Sequence, residues 1–407
     1  MSAAVGNASA GDTMGFQIFR NAAASRRGAY RFGNLLSLKR AEQAREEIGL
    51  CPLYQPTPLL ALADVAAAAG VETIWYKDES PRFGLGSFKA LGGAYAVAKL
   101  LQESISQRIV RTVSLHDVAR GRYQELTSQI TVTCATDGNH GRSVAAGAQM
   151  FGCNCVVFLH SGVSPAREEA IAAFGASTIR VAGDYDDSVE AAAAEAQKMG
   201  WTVVSDTSWP GYEQVPCLVM QGYTVMILEV MDQLRASGRA MPTHVFLQGG
   251  VGGLAAAVVA TFWEALGESA PIFVIVEPER ADCLYQSARA GRPSPACGDL
   301  NTIMAGLACG EVSLTAWRIL APSANYFMTI PDERAVAAMR QLADRTPSIV
   351  AGESATAGLA ALQLLASGTP ELRAEMKLTE GARVLLIGTE GATDPALYER
   401  LAGVRES

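Results

Sequence analysis

Cysteine is scarce, with eight residues in a chain of 407, too few for a disulfide scaffold, and Cys153-Asn154-Cys155 lacks the second pair that a zinc site needs. These cysteines are expected as small buried hydrophobes, since free cysteine is among the most interior residue types. Long apolar runs are missing too. No uncharged stretch reaches the ~18 residues of a membrane span. Residues 1–21 are rich in Ala, Gly and Ser but lack the apolar h-region behind a basic start that marks a secretory signal. A cytoplasmic protein with no membrane partner is therefore expected. Basic clusters are absent as well: Lys and Arg number 33 against 41 Asp and Glu, for a formal charge of −8. Binding nucleic acid through counterion release requires a basic surface, so nucleic acid is not an expected partner, and any anionic cofactor must be held by local amides. There is no internal repeat, and no low-complexity tract beyond alanine-rich helices.

What is present is a large apolar fraction, 49% against 18% charged, enough to bury the core of two or three domains. Short β-branched runs alternate with longer alanine-rich amphipathic runs, the pattern of an α/β fold. Strands are expected at 130–135, 155–159, 178–181 and 202–204, with helices at 142–151, 165–174 and 185–199 between them, as one compact doubly wound unit. Further strands are expected at 245–247, 272–276 and 384–387. Residues 108–129 fit neither pattern and read as an insertion without assigned chemistry.

Two short motifs carry chemistry. Lys89 stands in Gly86-Ser87-Phe88-Lys89-Ala90-Leu91-Gly92-Gly93, between a glycine-bearing turn and an apolar helical run. A lysine at such a helix start can have its amine in a pocket, where desolvation lowers its pKa toward the nucleophilic form. On its own it would be an ordinary solvated lysine. The second motif, Thr136-Asp137-Gly138-Asn139-His140-Gly141, changes that reading. Its glycines let the backbone approach a ligand, Asn139 can bond a ring hydroxyl, and the following amides can hold a carboxylate at a helix N-terminus.

These two motifs resemble those of fold-type II enzymes of pyridoxal 5'-phosphate (PLP), the tryptophan synthase β and threonine dehydratase superfamily, and most closely the diaminopropionate ammonia-lyases. Further segments match in order along residues 50–395: Asp206-Thr207-Ser208-Trp209, Met220-Gln221-Gly222-Tyr223, Ala281 to Tyr285, Thr302 to Gly310 and Gly388-Thr389-Glu390-Gly391. The resemblance implies two open, twisted, mostly parallel sheets flanked by helices, with the cofactor between domains. Residues 1–95 and 221–407 would form a discontinuous large domain, and 96–220 a small one. It also implies a homodimer.

Gln248-Gly249-Gly250-Val251-Gly252-Gly253-Leu254 follows a strand and opens a helix at 255–266, so amides and helix dipole converge on an anion. Gly249, Gly250, Val251, Gly252 and Gly253 are the expected phosphate cradle. The same stretch fits a G-x-G-x-x-A dinucleotide fingerprint, with Glu277 placed as a ribose partner. A nicotinamide-dependent oxidoreductase is thus an alternative, although that fingerprint normally opens its domain and would leave Lys89 and the Asp137 turn unexplained.

For the reaction, the resemblance implies α,β-elimination of D- or L-2,3-diaminopropionate to pyruvate and ammonia. Lys89, Asp137 and Asp206 would be catalytic. Lys89, Asn139, the glycine turn and Thr389, as partner of the pyridine nitrogen, would hold PLP. Ser87, Thr136, Asp137 and His140 would bind substrate. Serine and threonine dehydratases share the Ser87-Phe88-Lys89 pattern but carry a small residue at the position of Asp137, which can act as a base or bind a second substrate ammonium. The α-proton would go to Lys89 for the L-isomer and to Asp206 or Asp137 for the D-isomer. A dehydratase or β-lyase for serine, threonine or another β-substituted amino acid is the second reading, and a catalytically silent PLP-binding protein a third. Glu390 and Asp394 read as surface charge or a helix cap. The resemblance marks Cys283 and Cys309 as the cysteines expected to approach one another, with two free thiols as the default in a reducing compartment.

Overall fold

The computed structural model describes residues 15–24, 28–136, 138–183 and 185–403. Asp137 lies outside the described residues.

Among the described residues eleven strands make two sheets. They are β1 (Gln17–Arg20), β2 (Leu59–Ala61), β3 (Thr73–Asp78), β4 (Thr131–Thr136), β5 (Asn154–His160), β6 (Ser177–Val181), β7 (Thr202–Val203), β8 (His244–Gln248), β9 (Ile272–Pro278), β10 (Tyr326–Ile330) and β11 (Arg383–Gly388). The larger sheet runs β1-β10-β9-β8-β11-β3-β2 and the smaller β6-β5-β4-β7. All pairings are parallel except the two edges of the larger sheet, β1 on β10 and β2 on β3. Central strands such as β8 and β10 are buried along their whole length, as expected of parallel strands covered by helices on both faces. This is the fold-type II α/β architecture that the sequence motifs imply. The smaller sheet is contributed by one continuous stretch, and the larger by the chain on either side of it. Both expected hand-over points, 95/96 and 220/221, fall inside helices, Lys89–Arg108 and Gln214–Ala236.

Local chemistry sets many helix ends. Ser164-Pro165, Thr369-Pro370 and Asp394-Pro395 each place a side-chain acceptor at the N-cap and proline in the first turn, the position where a missing N–H costs nothing. Glycine in the left-handed region ends helices at Gly70, Gly152, Gly291 and Gly403. The 108–129 insertion folds into two short helices, Leu115–Ala119 and Gln124–Thr127. Gln214–Ala236 is, among the described residues, the one helix long and apolar enough to cross a membrane, and it is mostly buried in the protein core.

Three helices meet through residues without side-chain bulk, and this contact places the site. A Cβ on Gly222 would stand 2.1 Å from the Leu91 carbonyl oxygen, and one on Gly92 2.4 Å from the Tyr223 ring. A Cβ on Gly147, in the helix Asn139–Phe151, would stand 2.7 Å from the Ala94 Cα. Such distances exclude any larger residue in a close-packed interior. The helix that starts at Lys89 is thereby pressed against the helix that follows Asp206 and against the one that starts at Asn139.

Candidate active site

A cavity of about 350 Å³ opens where these helix starts converge, lined from the small sheet by Thr136, Asn139 and His140, and from the large one by Lys89, Gly249, Gly250, Val251, Gly253 and Thr389. Strand ends and helix N-termini of both sheets face it, the place where open parallel sheets bind ligands.

Lys89 is the first residue of its helix. Its amide donates to Ser87 Oγ at 3.3 Å and its carbonyl accepts from Ser143 Oγ at 2.7 Å. Its Nζ donates to Asp206 Oδ2. Asp206 is buried. Burial raises a carboxyl pKa, but here the Lys89 ammonium and His140 outweigh it and hold Asp206 at about 2. His140 is buried beside Asp206: Nε2–H donates to the Val204 carbonyl at 2.7 Å, leaving Nδ1 turned toward Asp206 Oδ2 at 3.9 Å.

The small-sheet turn is braced by Thr136, whose Oγ1 accepts the amides of Gly138 (2.9 Å) and Gly141 (3.0 Å). A Cβ on Gly141 would collide with Thr136 Cγ2 at 2.4 Å, so the glycine is a packing requirement. Asn139 reaches across the cleft to Glu390. Opposite, Gly250 and Gly252 adopt φ of +58° and +97°, backbone that L-residues other than glycine seldom adopt. This turn aims the first amides of the helix Gly253–Leu266 at the cavity. Gly252 itself and Ser87 lie off the cavity wall; Ser87 is buried with its backbone bridged to Glu390. The donor set fits a phosphorylated aldehyde: an amine in a pocket, an amide nest for phosphate, a polar residue, Thr389, and an amide side chain, Asn139.

Two readings change with the structure. Glu277 is no ribose partner: it is fully buried behind the glycine turn, and its two oxygens accept the amides of Leu284 (2.9 Å) and Tyr285 (2.7 Å) at the start of the helix Cys283–Ala290. Glu390 is no surface charge, being buried on the cavity wall. Asp394 is the cap expected of it, accepting from Leu397 N at 3.1 Å, and it also accepts from Ser164 Oγ at 2.8 Å across the cleft. Cys283 and Cys309 are free thiols, the former buried with Sγ facing Gly250 O and Glu277, the latter on the cavity wall.

Fold and cavity together define an α/β enzyme with a cofactor cavity between two mostly parallel sheets. The chain belongs to the family of pyridoxal-phosphate dependent enzymes, whose model matches residues 50–390, and within it to the diaminopropionate ammonia-lyases. It is 39% identical over 386 residues to the diaminopropionate ammonia-lyase of Salmonella typhimurium, covering 92% of this chain and 95% of the relative. With the Escherichia coli K12 enzyme it shares 40% over 372 residues, 90% and 92% of the two chains. A crystal structure of the E. coli enzyme in complex with an aminoacrylate-PLP azomethine reaction intermediate superposes with a TM-score of 0.85 at 37% identity, covering 95% and 96% of the two chains. A tomato threonine deaminase, at 19% identity and a TM-score of 0.69, shares the fold.

Proposed function

We propose that the protein eliminates ammonia from 2,3-diaminopropionate, D or L, to give aminoacrylate, which hydrolyses to pyruvate and a second ammonia. The observation that carries this reading is the meeting of Lys89 and Asp206 in the cavity that also holds the Asn139 helix start and the glycine turn. Bound PLP supplies an electron sink for the α-carbon of an amino acid. Lys89 would anchor it, the turn from Gly249 to Gly253 would take the phosphate through the amides of Gly250, Val251 and Gly253, those of Gly249 and Gly252 donating to the Val276 and Gly249 carbonyls, Thr389 would serve the pyridine nitrogen, and Asn139 the ring hydroxyl.

Proton transfer then falls to this chain's own groups. The Lys89 ammonium is the foremost of the groups that keep Asp206 acidic; with that amine engaged elsewhere the opposing effect of burial weighs more, and the carboxylate becomes a better proton acceptor. Lys89 serves one face of the α-carbon, for the L-isomer, while Asp206 or Asp137 serves the other, for the D-isomer. The remaining carboxylate assists departure of the β-amine. His140 lies beside Asp206, and the N-terminus of the helix Asn139–Phe151, its turn supported by Thr136, receives the substrate carboxylate, while Ser87 supports the start of the Lys89 helix. The same reading assigns residues 1–95 and 221–407 to the large domain and 96–220 to the small, and makes the protein a cytoplasmic homodimer.

A second amino group is cationic at neutral pH, and two carboxylates favour it over a neutral hydroxyl by about 1.5–3 kcal/mol per charge-assisted hydrogen bond. Diaminopropionate is therefore expected to exceed serine by more than roughly tenfold in kcat/KM, with two ammonia released per pyruvate. Faster turnover of serine or threonine, with one ammonia per keto acid, would make the protein a dehydratase, and no turnover of any β-substituted amino acid would make it a silent PLP-binding protein.

A further inference from the structure

We infer that Glu390 is a positioning residue of the cofactor pocket, holding the Asn139 amide in one orientation across the cleft. This rests on the reading that the PLP ring lies against Asn139. Glu390 follows Thr389 just beyond the end of β11 and is only 3% exposed. Its Oε2 accepts from Asn139 Nδ2, and its Oε1 accepts from the Ser354 amide at 3.2 Å. Its backbone is fixed on both sides. The carbonyl accepts from Gly352 N at 3.0 Å, the residue bridges Ser87, and the flanking bonds Phe88 N to Thr389 O and Gly391 N to Gly86 O are each 3.0 Å. Gly352 makes room for the side chain, since a Cβ there would lie 2.9 Å from Glu390 Cγ. One residue thus holds the segment that carries Lys89 through its backbone and the small-sheet helix that carries Asn139 through its carboxylate.

The chemistry of the two ends of an asparagine amide gives this contact its meaning. The nitrogen donates and the oxygen accepts, while the shape is nearly the same either way round. A carboxylate that accepts at both oxygens selects the orientation with Nδ2 toward it, which fixes where Oδ1 and the second N–H of Asn139 point in the cavity. Glutamine at 390 has one oxygen and one NH2 group. Because the Ser354 amide belongs to the backbone and cannot turn, that oxygen stays with Ser354, and the NH2 group faces Asn139. Asn139 must then flip, presenting Oδ1 to residue 390 and its NH2 group to the ring.

The test compares the parent holoenzyme with Glu390→Gln, Asn139→Ala and their combination. Three quantities are read: the dissociation constant of PLP from titration of the apoprotein, the pH titration of the visible absorbance of the bound cofactor, and the thermal midpoint of each apoprotein. Glu390→Gln is expected to weaken PLP about tenfold, the scale of one charge-assisted hydrogen bond, and to displace the absorbance titration, with little change in the apoprotein midpoint. In the Asn139→Ala background the same substitution should add nothing. Parent-like affinity and absorbance in Glu390→Gln, or an equal effect with and without the Asn139 side chain, overturns the inference. Should Glu390→Gln not fold, an exchange decides the matter: Asn139→Asp places two carboxylates face to face, and adding Glu390→Gln restores a donor opposite an acceptor. Recovery of PLP affinity in the exchanged pair supports the inference, and its absence defeats it. A parent protein that takes up no PLP would instead defeat the placement of the ring, and this is seen before any variant is compared.

Discussion

Lys77 and Lys89 stand twelve residues apart, both paired with a carboxylate from beyond their own segment, and they do opposite things. Lys77 ends in the core with no exposure. Its Nζ donates to Glu229 Oε2 (2.7 Å), the Thr57 carbonyl (2.8 Å) and Gln233 Oε1 (3.1 Å). Arg82 joins the same group, bonding both oxygens of Glu79 and both of Glu229 at 2.8 Å. Burial lowers the Lys77 pKa although the glutamates pull against it. Lys89 is 17% exposed at its side chain and ends in a cavity, against a carboxylate that is itself on the cavity wall. An ammonium has three donors. Where all three are met by fixed partners the lysine ties β3 and the segment before β2 to the helix Gln214–Ala236. Where the amine faces an open volume a ligand can reach it.

The sharpest way to break this comparison is to remove each amine. Lys89→Ala should abolish turnover and the visible absorbance of bound cofactor while leaving a folded apoprotein, because a side chain at a cavity wall contributes little to the core. Retained colour and activity would place the anchoring amine elsewhere. Asp206→Asn is expected next in size, slowing elimination by about 10²–10⁴-fold, the range of a positioned proton transfer, with PLP still bound. Asp137→Asn should behave alike, and the two should differ between D- and L-substrate. Full rates for both variants on both isomers would make the aspartates structural.

Lys77→Met should separate the two lysines in the other direction. It leaves Glu229 with one cation fewer in the core, and breaking a buried pair costs about 3–5 kcal/mol, read as a lowered denaturation midpoint. Turnover per folded molecule should hold. A large fall in kcat without loss of stability would show that the network reaches into the chemistry.

Legibility in the sequence followed the same division. Lys89, Asp206, Asn139 and the glycine turn could be found because each sits at a strand end or helix start within a short motif, so local sequence reports their setting. The strands at 131–136, 154–160, 244–248 and 272–278 were legible from β-branched runs for the same reason. The Lys77 network was not. Its members are polar residues whose partners lie up to 176 positions away, as in Gln233 to Thr57, and a charged residue read alone defaults to the surface. Glu390 was misplaced by that default, and Glu277 by its fit to the ribose position of a dinucleotide fingerprint. A carboxylate beside Thr389 in a motif of small residues, and one at the end of an otherwise apolar strand, were the available signals. Edge strands β1 and β2, short and half-exposed, carry no period strong enough to announce them.

Glu277 extends the comparison to a buried carboxyl served by amides rather than by a cation, and predicts the smallest effect. Burial pushes its pKa up to about 8, against the pull of the Leu284 and Tyr285 amides. An acid whose folded pKa is raised contributes stability that is fully present below its unfolded pKa of about 4.3 and lost as pH rises through the folded value. The parent apoprotein should therefore lose stability between about pH 4.5 and pH 8 through this group. Glu277→Gln cannot ionise and removes that slope. Its NH2 group also leaves one of the two helix amides without an acceptor, a cost of about 1–3 kcal/mol. The variant should thus melt below the parent at pH 5, with the gap narrowing toward pH 9. A constant gap across that range would mean that Glu277 is ionised throughout, held by the helix N-terminus alone, and that a carboxylate in this core needs no cation to stay charged.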